Sequence, residues 1–591
     1  MKTQTIHTNE MTLQPLFGQL ANKTHNLTGI ASTSTDATTH DHKEVKMKSQ
    51  TNNKTNSRKP IACSFAIAAV LLSLAGASAN AQTGSSGKAQ SPIGPTTCTL
   101  PIGGGNLCPS SSYRIGAVGT VYNSNLTGSP LGDGHVLNST TVANLQLNAT
   151  IPAPGGGSCS SGSNPTSSPS VASRVIFPAL DASGNCSLGT YAVVGHSAGW
   201  RTTIGAGSSR VVSSAGYAGA DIYIGSGDGN LYAYGYTSGT PDWVFNPGTG
   251  AAFNSSPTTW PNLDGIYIID DGSYWGVGAI YKVDASTGML DSKWPVGGVL
   301  SNLTPGGTVA SASSLAVSTC GGSCNLLFAA GTLAGGGTGD VEAYYSDSGN
   351  FKWANTTSLK NPATSSPVVS DRHGLVYVQT TVFCGPVFQQ GYQFSGGLIY
   401  ALDQVTGTED WKASPIDPQG PCPFTFGLAP SKDGSTSPAP APIGANVFSS
   451  GGSPAYDDAK NYVIASAIVN YVTSNGNGQS DSKFQYSVLN VFDADRRALN
   501  GGNKVCQAYI NNPVTGAASK VTNSSPEVVS GVIYIGTDDG YIQAYDESTC
   551  TNLWNSTEMD SALMGPPVVS FNRVHAVSQN GTLYVWALAG Y

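Results

Sequence analysis

The 591-residue chain is short of charge. Asp, Glu, Lys and Arg together make up 10% of it, against about 25% in an average soluble protein. That excludes a coiled coil and a charge-solvated disordered tail. The formal net charge is −8, which repels phosphate, so nucleic acid is not an expected partner. Long apolar runs are scarce too. Only 61–79, IACSFAIAAVLLSLAGASA, is strongly apolar, and its uninterrupted core from Phe65 to Ala77 is short for a bilayer span. No CxxC, no CxxCH and no Cys/His cluster at zinc spacing occurs. Thioredoxin-like redox, c-type haem and structural zinc therefore have no support in the sequence.

What is present is a turn-rich, weakly charged body: 73 Gly, 34 Pro and 39% hydrophobic residues, enough for a packed core. Arg58 and Lys59 precede the apolar run, and Ala79-Asn80-Ala81 closes it. A basic stretch, an apolar stretch and a small-x-small site predict a secretory signal peptide cut after Ala81. Met47 offers a more ordinary start than Met1. The chain divides into an N-terminal extension and signal peptide (1–81), a mobile Gly/Ser/Pro-rich segment (82–114) and a body (115–591). The expected location is secreted or periplasmic, with no membrane span after cleavage.

Setting Cys63 aside leaves ten cysteines, an even number that suits an oxidising compartment. The expected bridges join sequence neighbours: Cys98–Cys108, Cys159–Cys186, Cys320–Cys324, Cys384–Cys422 and Cys506–Cys550.

The body repeats. An S-S-P step is followed by a strand, a Gly/Asp turn, a second strand ending in Y-x-x-D, then T-G, then Trp. Clear copies are IYIGSGDGNLYAYGYTSGTPDW (222–243), LVYVQTTVFCGPVFQQGYQFSGGLIYALDQVTGTEDW (375–411) and VIYIGTDDGYIQAYDESTCTNLW (532–554). Large β-formers alternate with small or polar residues at period two, the pattern of strands. Asp228-Gly229 and Asp539-Gly540 supply the positive φ of two-residue hairpin turns. Each unit reads as a four-stranded antiparallel sheet that must stack on its neighbours. The prediction is an all-β, eight-bladed β-propeller, with seven blades as the alternative. The blades fall near 165–205, 208–245, 254–296, 308–355, 364–413, 447–508, 523–556 and 562–588. The last copy lacks an outer strand, and TVANLQLNATI (141–151) is expected to supply it, removing an exposed edge. Trp243, Trp294, Trp353, Trp411 and Trp554 are expected on outer strands, docking one blade on the next. The sixth blade has Cys506 in that place.

YALDQVTGTEDW (400–411), YKVDASTGMLDSKW (281–294), QAYDESTCTNLW (543–554) and GTDDGYIQAYD (536–546) resemble the PQQ-type repeat of the quinoprotein alcohol dehydrogenase-like superfamily. The opening NSNLTGSPLGDGHVLNSTTVANLQL (123–147) is similar to that of its polyvinyl-alcohol dehydrogenase branch. The resemblance covers roughly 115–591. Its enzymatic members imply PQQ and calcium on the axis, held by a Glu, an Asn and a catalytic Asp above a Trp platform, often beneath a disulfide between adjacent cysteines. This chain has no adjacent Cys pair, and YVQTTVFCGPVF (377–388) stands where the Gly-Asn step belongs.

Other chemistry has local alternatives. GHSAG (195–199) matches a nucleophile elbow with Ser197, and His373 or His575 is its nominal partner, but the residues that follow are not helical. Asp270-Asp271-Gly272 and Asp538-Asp539-Gly540 are calcium-like but sit at hairpins, where they serve as turn residues. SNGNGQSDS (474–482) is oxygen-rich without the D-x-D-x-D-G order. Trp260 and Trp275 are candidate mouth aromatics. The expected function is a non-catalytic binding or scaffold role toward a protein or glycan at a propeller mouth, with no catalytic residue, metal or cofactor. The alternative is a divergent PQQ- and calcium-dependent dehydrogenase acting on an alcohol or polymer.

Overall fold

The computed structural model describes residues 137–591 except 160–166, 172–173, 194, 208–210, 212, 219, 260–264, 272–277, 295–298, 301–306, 309–312, 319–324, 334–338, 358, 360–364, 381, 385–390, 396–397, 414–451, 475–479, 500, 522–523, 564 and 571. The signal peptide, the 82–114 segment, Cys98, Cys108, Cys320, Cys324, Cys422, Trp260 and Trp275 lie outside the described residues.

Eight antiparallel sheets follow one another along the chain. Blade 1 runs from the strand Ser170–Val171 to Ala198–Thr203, blade 2 from Gly216–Ala218 to Pro241–Phe245, and blade 3 from Thr258–Thr259 to Val299–Leu300. Blade 4 ends at Phe351–Asn355. Blade 5 spans Val368–Ser370 to Glu409–Ala413, blade 6 spans Ala455–Asp457 to Lys504–Ile510, and blade 7 spans Glu527–Val529 to Asn552–Asn555. Among the described residues, first strands of neighbouring blades touch at six of the eight seams, including that of blades 8 and 1, so the sheets radiate from a common axis as a propeller.

The ring closes through its N-terminal strand. Gln146–Ile151 pairs antiparallel with Leu583–Ala587, in a register that sets Ile151 opposite Leu583 and Gln146 opposite Ala587. Blade 8 thereby gains its fourth strand, as the incomplete last repeat requires.

Two blades exceed four strands. In blade 4 both Gly307–Thr308 and Ala316–Ser318 pair with Leu326–Leu333. The insertion within the 375–411 repeat leaves blade 5: its hairpin Val382–Cys384/Gly391–Ser395 joins the sheet of blade 6 by pairing with Tyr462–Ser474.

Turn chemistry differs from expectation at both Asp-Gly turns: Gly540, at φ 84, donates to the Thr537 carbonyl and the Thr537 N–H donates to the Tyr541 carbonyl, as at Gly229. Gly229 has φ 81 and donates its N–H to the Ser226 carbonyl at 3.2 Å, while the Ser226 N–H donates to the Asn230 carbonyl. This is a type I turn closed by a glycine bulge, not a two-residue turn. The Y-x-x-D…T-G corner is also explicit. Asp403 Oδ1 accepts the N–H groups of Val405 and Thr406 and the Thr406 hydroxyl, and Gly407 N–H returns to the Asp403 carbonyl at 2.8 Å. The carboxylate holds the chain in the corner that a backbone turn alone would leave underdetermined.

Candidate functional site

The S-S-P step builds the centre. The N–H of Ser168 donates to Ser214 Oγ in the next blade, Ser214 to Ser256, Ser256 to Ser314, Ser314 to Ser366, Ser366 to Ser453, and Ser453 to Ser525, all at 2.7–2.9 Å. These buried links form a belt across seven blades. The preceding serine works within its own blade: Ser365 and Ser524 accept the N–H groups of Gln379 and Gly536. Blade 8 has Pro566 at the belt position, which offers neither hydroxyl nor N–H, and the belt stops there. Gly565 instead lets the two backbones approach: a Cβ there would lie 2.8 Å from the Ser167 carbonyl oxygen.

The tryptophans sit at the seams. The indole N–H of Trp243 donates to Ala285 O, Trp294 to Ser346 O, Trp353 to Gln404 O and Trp411 to Asp495 O, at 2.7–3.0 Å. Each acceptor lies just past the third strand of the following blade. Trp554 donates to Leu145 O, tying blade 7 to the closing segment. Trp200 does the same to Tyr236 O, a sixth docking indole hidden by the irregular first repeat. Trp294 lies in a turn before its outer strand Val299–Leu300 rather than on it. In blades 2, 4, 5 and 7 the strand residue opposite the indole is alanine, and a bulge follows it. The small side chain leaves room for the ring to lie across the sheet.

Two of the expected bridges fall on described cysteines. Cys159 is bonded to Cys186 and Cys506 to Cys550. The first ties the connector before blade 1 to that blade's third strand. The second crosses from blade 6 to blade 7.

Three hairpin carboxylates accept hydrogen bonds from protein groups, while Asp539 Oδ1 is buried without a hydrogen-bond partner. Asp270 accepts the Ala279 N–H and the Tyr281 hydroxyl. Asp271 accepts the Ala252 N–H and the Asn254 amide. Asp539 accepts from Asn512 and Ser519. Among the described residues no three His, Cys, Asp or Glu side chains converge as metal ligands. GHSAG forms the turn between the third and fourth strands of blade 1, with Ser197 exposed and the strand Ala198–Thr203 following where a nucleophile elbow needs a helix. His373 packs on Asp495 at the seam of blades 5 and 6, with Nδ1 3.3 Å from Oδ1. His575 is buried in blade 8, and burial pushes its imidazole down to about 3.

Two carboxyls stand out that the sequence did not mark. Glu527, on the inner strand of blade 7, is pushed up to about 8 by burial. It takes the place that Ser170, Thr258 and Ala455 hold after their own belt serines. Glu547, just past the third strand of blade 7, is pushed up to about 9 by burial and by the neighbouring Asp457.

An open groove of about 270 Å³ lies on the outer edge between blades 6 and 7. Its floor is Gln543, buried, which donates to Asn511 O at 2.6 Å and accepts from the Tyr545 hydroxyl. Its rim carries Tyr509, Asn512, Asn552 and Asn555. None of the lining side chains is charged. One wall is an additional corner, Asn512-Pro513-Val514-Thr515-Gly516, that repeats the D-x-x-T-G turn with Asn for Asp. Asn512 Oδ1 accepts the N–H groups of Val514 and Thr515, and Gly516 N–H returns to Asn512 O. The NPVTG string is the sequence signal for it.

No protein-family model and no curated protein matches the chain. Solved structures do. A quinohemoprotein alcohol dehydrogenase from Comamonas testosteroni overlays with a TM-score of 0.52 at 14% identity, covering 81% of each chain. A europium-containing methanol dehydrogenase overlays at 0.50 and 15%, covering 76% of this chain and 95% of that one. BamB from Moraxella catarrhalis gives 0.45 and 15%, covering 75% and 99%. The two dehydrogenases share the propeller architecture with this chain; at such identities the likeness is one of fold alone.

Proposed function

We propose that this chain is an exported propeller that binds a protein or glycan partner without catalysing a reaction. The observation that carries this reading is a division of labour among polar groups. The described carboxylates of Asp270, Asp271 and Asp539 each accept hydrogen bonds from protein N–H and O–H groups. Neutral hydrogen-bonding side chains, by contrast, are presented to solvent at the groove between blades 6 and 7. Polar groups convergent on an open concavity recognise a ligand, whereas acid–base chemistry needs a titratable group facing it. The two cross-linked cysteine pairs suit an oxidising compartment.

The test is reconstitution with PQQ and calcium followed by dye-linked oxidation of primary alcohols and polyvinyl alcohol. The expected result is no turnover and no stoichiometric quinone complex. Quinone-dependent oxidation would overturn the binding reading in favour of a divergent dehydrogenase.

A further inference from the structure

The groove between blades 6 and 7 has a donor and acceptor pattern that selects among ligands. Asn552 and Asn555 lie three residues apart on the outer strand of blade 7. Each amide donates to the other, with Nδ2 to Oδ1 at 3.0 Å in both directions. An amide carries two N–H donors and two acceptor lone pairs. After this reciprocal bond, Asn555 keeps one N–H and one lone pair. Asn552 keeps one lone pair, its second N–H serving the Tyr545 hydroxyl. Two acceptors and one donor, side by side, match two adjacent hydroxyl groups, which donate twice and accept at least once. Below them Gln543 and the Tyr545 hydroxyl are fixed by Asn511 O and by each other, so the floor is rigid before anything binds.

The flank supplies the other half of sugar recognition. Tyr509 is 60% exposed and Val514 77% exposed, both at this corner. A hexose presents one face of C–H groups and an equatorial belt of hydroxyls. An exposed aromatic ring beside paired amides takes both. Charge points the same way: with no ionised side chain in the lining, a phosphate or carboxylate ligand would find no counter-charge.

We infer that this groove binds a neutral oligosaccharide, with Asn552 and Asn555 holding a vicinal diol and Tyr509 lying against the ring. The inference rests on the binding function proposed above and names its ligand class.

The full chain as secreted is titrated calorimetrically, and by saturation-transfer NMR, with cellotetraose, maltotetraose, xylotetraose and mannotetraose, and with tetragalacturonic acid as the charged control. At least one neutral tetrasaccharide is expected to bind, with a Kd below about 1 mM, and the acid is not. Asn555→Ala and Tyr509→Ala should each weaken that binding about tenfold. Both residues are exposed, so the fold should persist, which a melting curve verifies. Phe351→Ala, exposed on blade 4, should leave binding unchanged. Absence of binding to every neutral glycan, binding of the acid alone, or binding that neither groove variant weakens would overturn the inference. Those outcomes are distinct from quinone-dependent turnover, which tests the broader function.

Discussion

Cys506 and Cys550 occupy the two positions that tryptophan and glycine occupy at the seams following blades 1, 2, 4 and 5. Cys506 stands opposite Val491, where Trp411 stands opposite Ala401. Cys550 ends the corner begun by Asp546, at φ 54, as Gly407 ends the corner begun by Asp403, at φ 73. Elsewhere the indole lies over the glycine: a Cβ on Gly407 would be 2.4 Å from the Trp353 ring, and one on Gly288 2.6 Å from Trp243. Between blades 6 and 7 the stacked pair is replaced by a covalent bond. Sγ of Cys506 lies 3.5 Å from Glu547 O, near the carbonyl an indole would bond, but a disulfide sulfur has no proton to give it.

That equivalence predicts a double-mutant cycle. Cys506→Trp alone should be destabilised by about 2–4 kcal/mol, through loss of the cross-link and crowding against the Cys550 side chain. Cys506→Trp with Cys550→Gly should recover much of the loss, and its melting temperature should respond less to dithiothreitol than the parent's. The parent should lose several degrees on reduction. Non-additivity in thermal melts is the measurement, and a strictly additive cycle would contradict the equivalence.

Glycines in the same backbone conformation should respond differently according to what faces them. Gly407→Ala meets both the positive φ and the Trp353 ring, and an expected cost of about 2–4 kcal/mol follows. Gly516, at φ 70 in the added corner, has nothing within 4 Å of where a Cβ would stand. Gly516→Ala should cost only the backbone contribution, about 1–2 kcal/mol. Urea denaturation of both variants separates the two contributions.

The serine belt makes a positional prediction. Ser366→Ala strands the buried N–H of Ser314, which loses its 2.8 Å acceptor in the next blade. The expected destabilisation is about 1–3 kcal/mol. Hydrogen exchange should quicken at the amide of Ser314 in blade 4, while the Gln379 N–H, donated to Ser365 within blade 5, keeps its protection.

Stability should fall as pH rises, because two carboxyls, Glu547 buried and Glu527 part-buried, are shifted upward in the folded state. Glu547 is raised from an ordinary 4.5 to about 9, and Glu527 to about 8. The folded state binds protons that the unfolded state has released, so their contribution is whole below pH 4.5. It declines above that and is gone past about pH 9. Asp457 and Asp546 oppose ionisation of Glu547 and Lys460 favours it. Blade 5 carries Gln404 at the equivalent place, bonded to the carbonyls of Ser370 and Leu375 and to the Ser318 hydroxyl. Glu547→Gln should therefore raise the melting temperature at about pH 8, change it little near pH 4.5, and flatten the profile between. An equal effect at both pH values would show that the carboxyl is ionised throughout.

Much of the architecture is legible in the repeat. Asp-Gly, T-G and S-S-P fall at fixed offsets between period-two strands, and a last copy without an outer strand needs a donor, which points to Gln146–Ile151. The candidate groove cannot be read in this way. Asn552, Asn555, Tyr509 and Gln543 look like ordinary strand residues, and only the stacking of blade 7 against blade 6 sets them around one concavity. Trp200 is hidden because an irregular first blade breaks the pattern that would have identified it.

Local sequence thus determined strands and the D-x-x-T-G corners, since these depend on backbone preferences within a few residues, while the structure settled eight blades over seven. Tertiary structure alone decided which serine bonds to which across the axis, that Trp lies on the glycine of the following corner, and that Cys550 stands in that glycine's place. The serine links join residues 42 to 87 positions apart and the cysteine pair residues 44 apart, and they exist only because closing the ring brings neighbouring sheets within hydrogen-bonding and van der Waals distance.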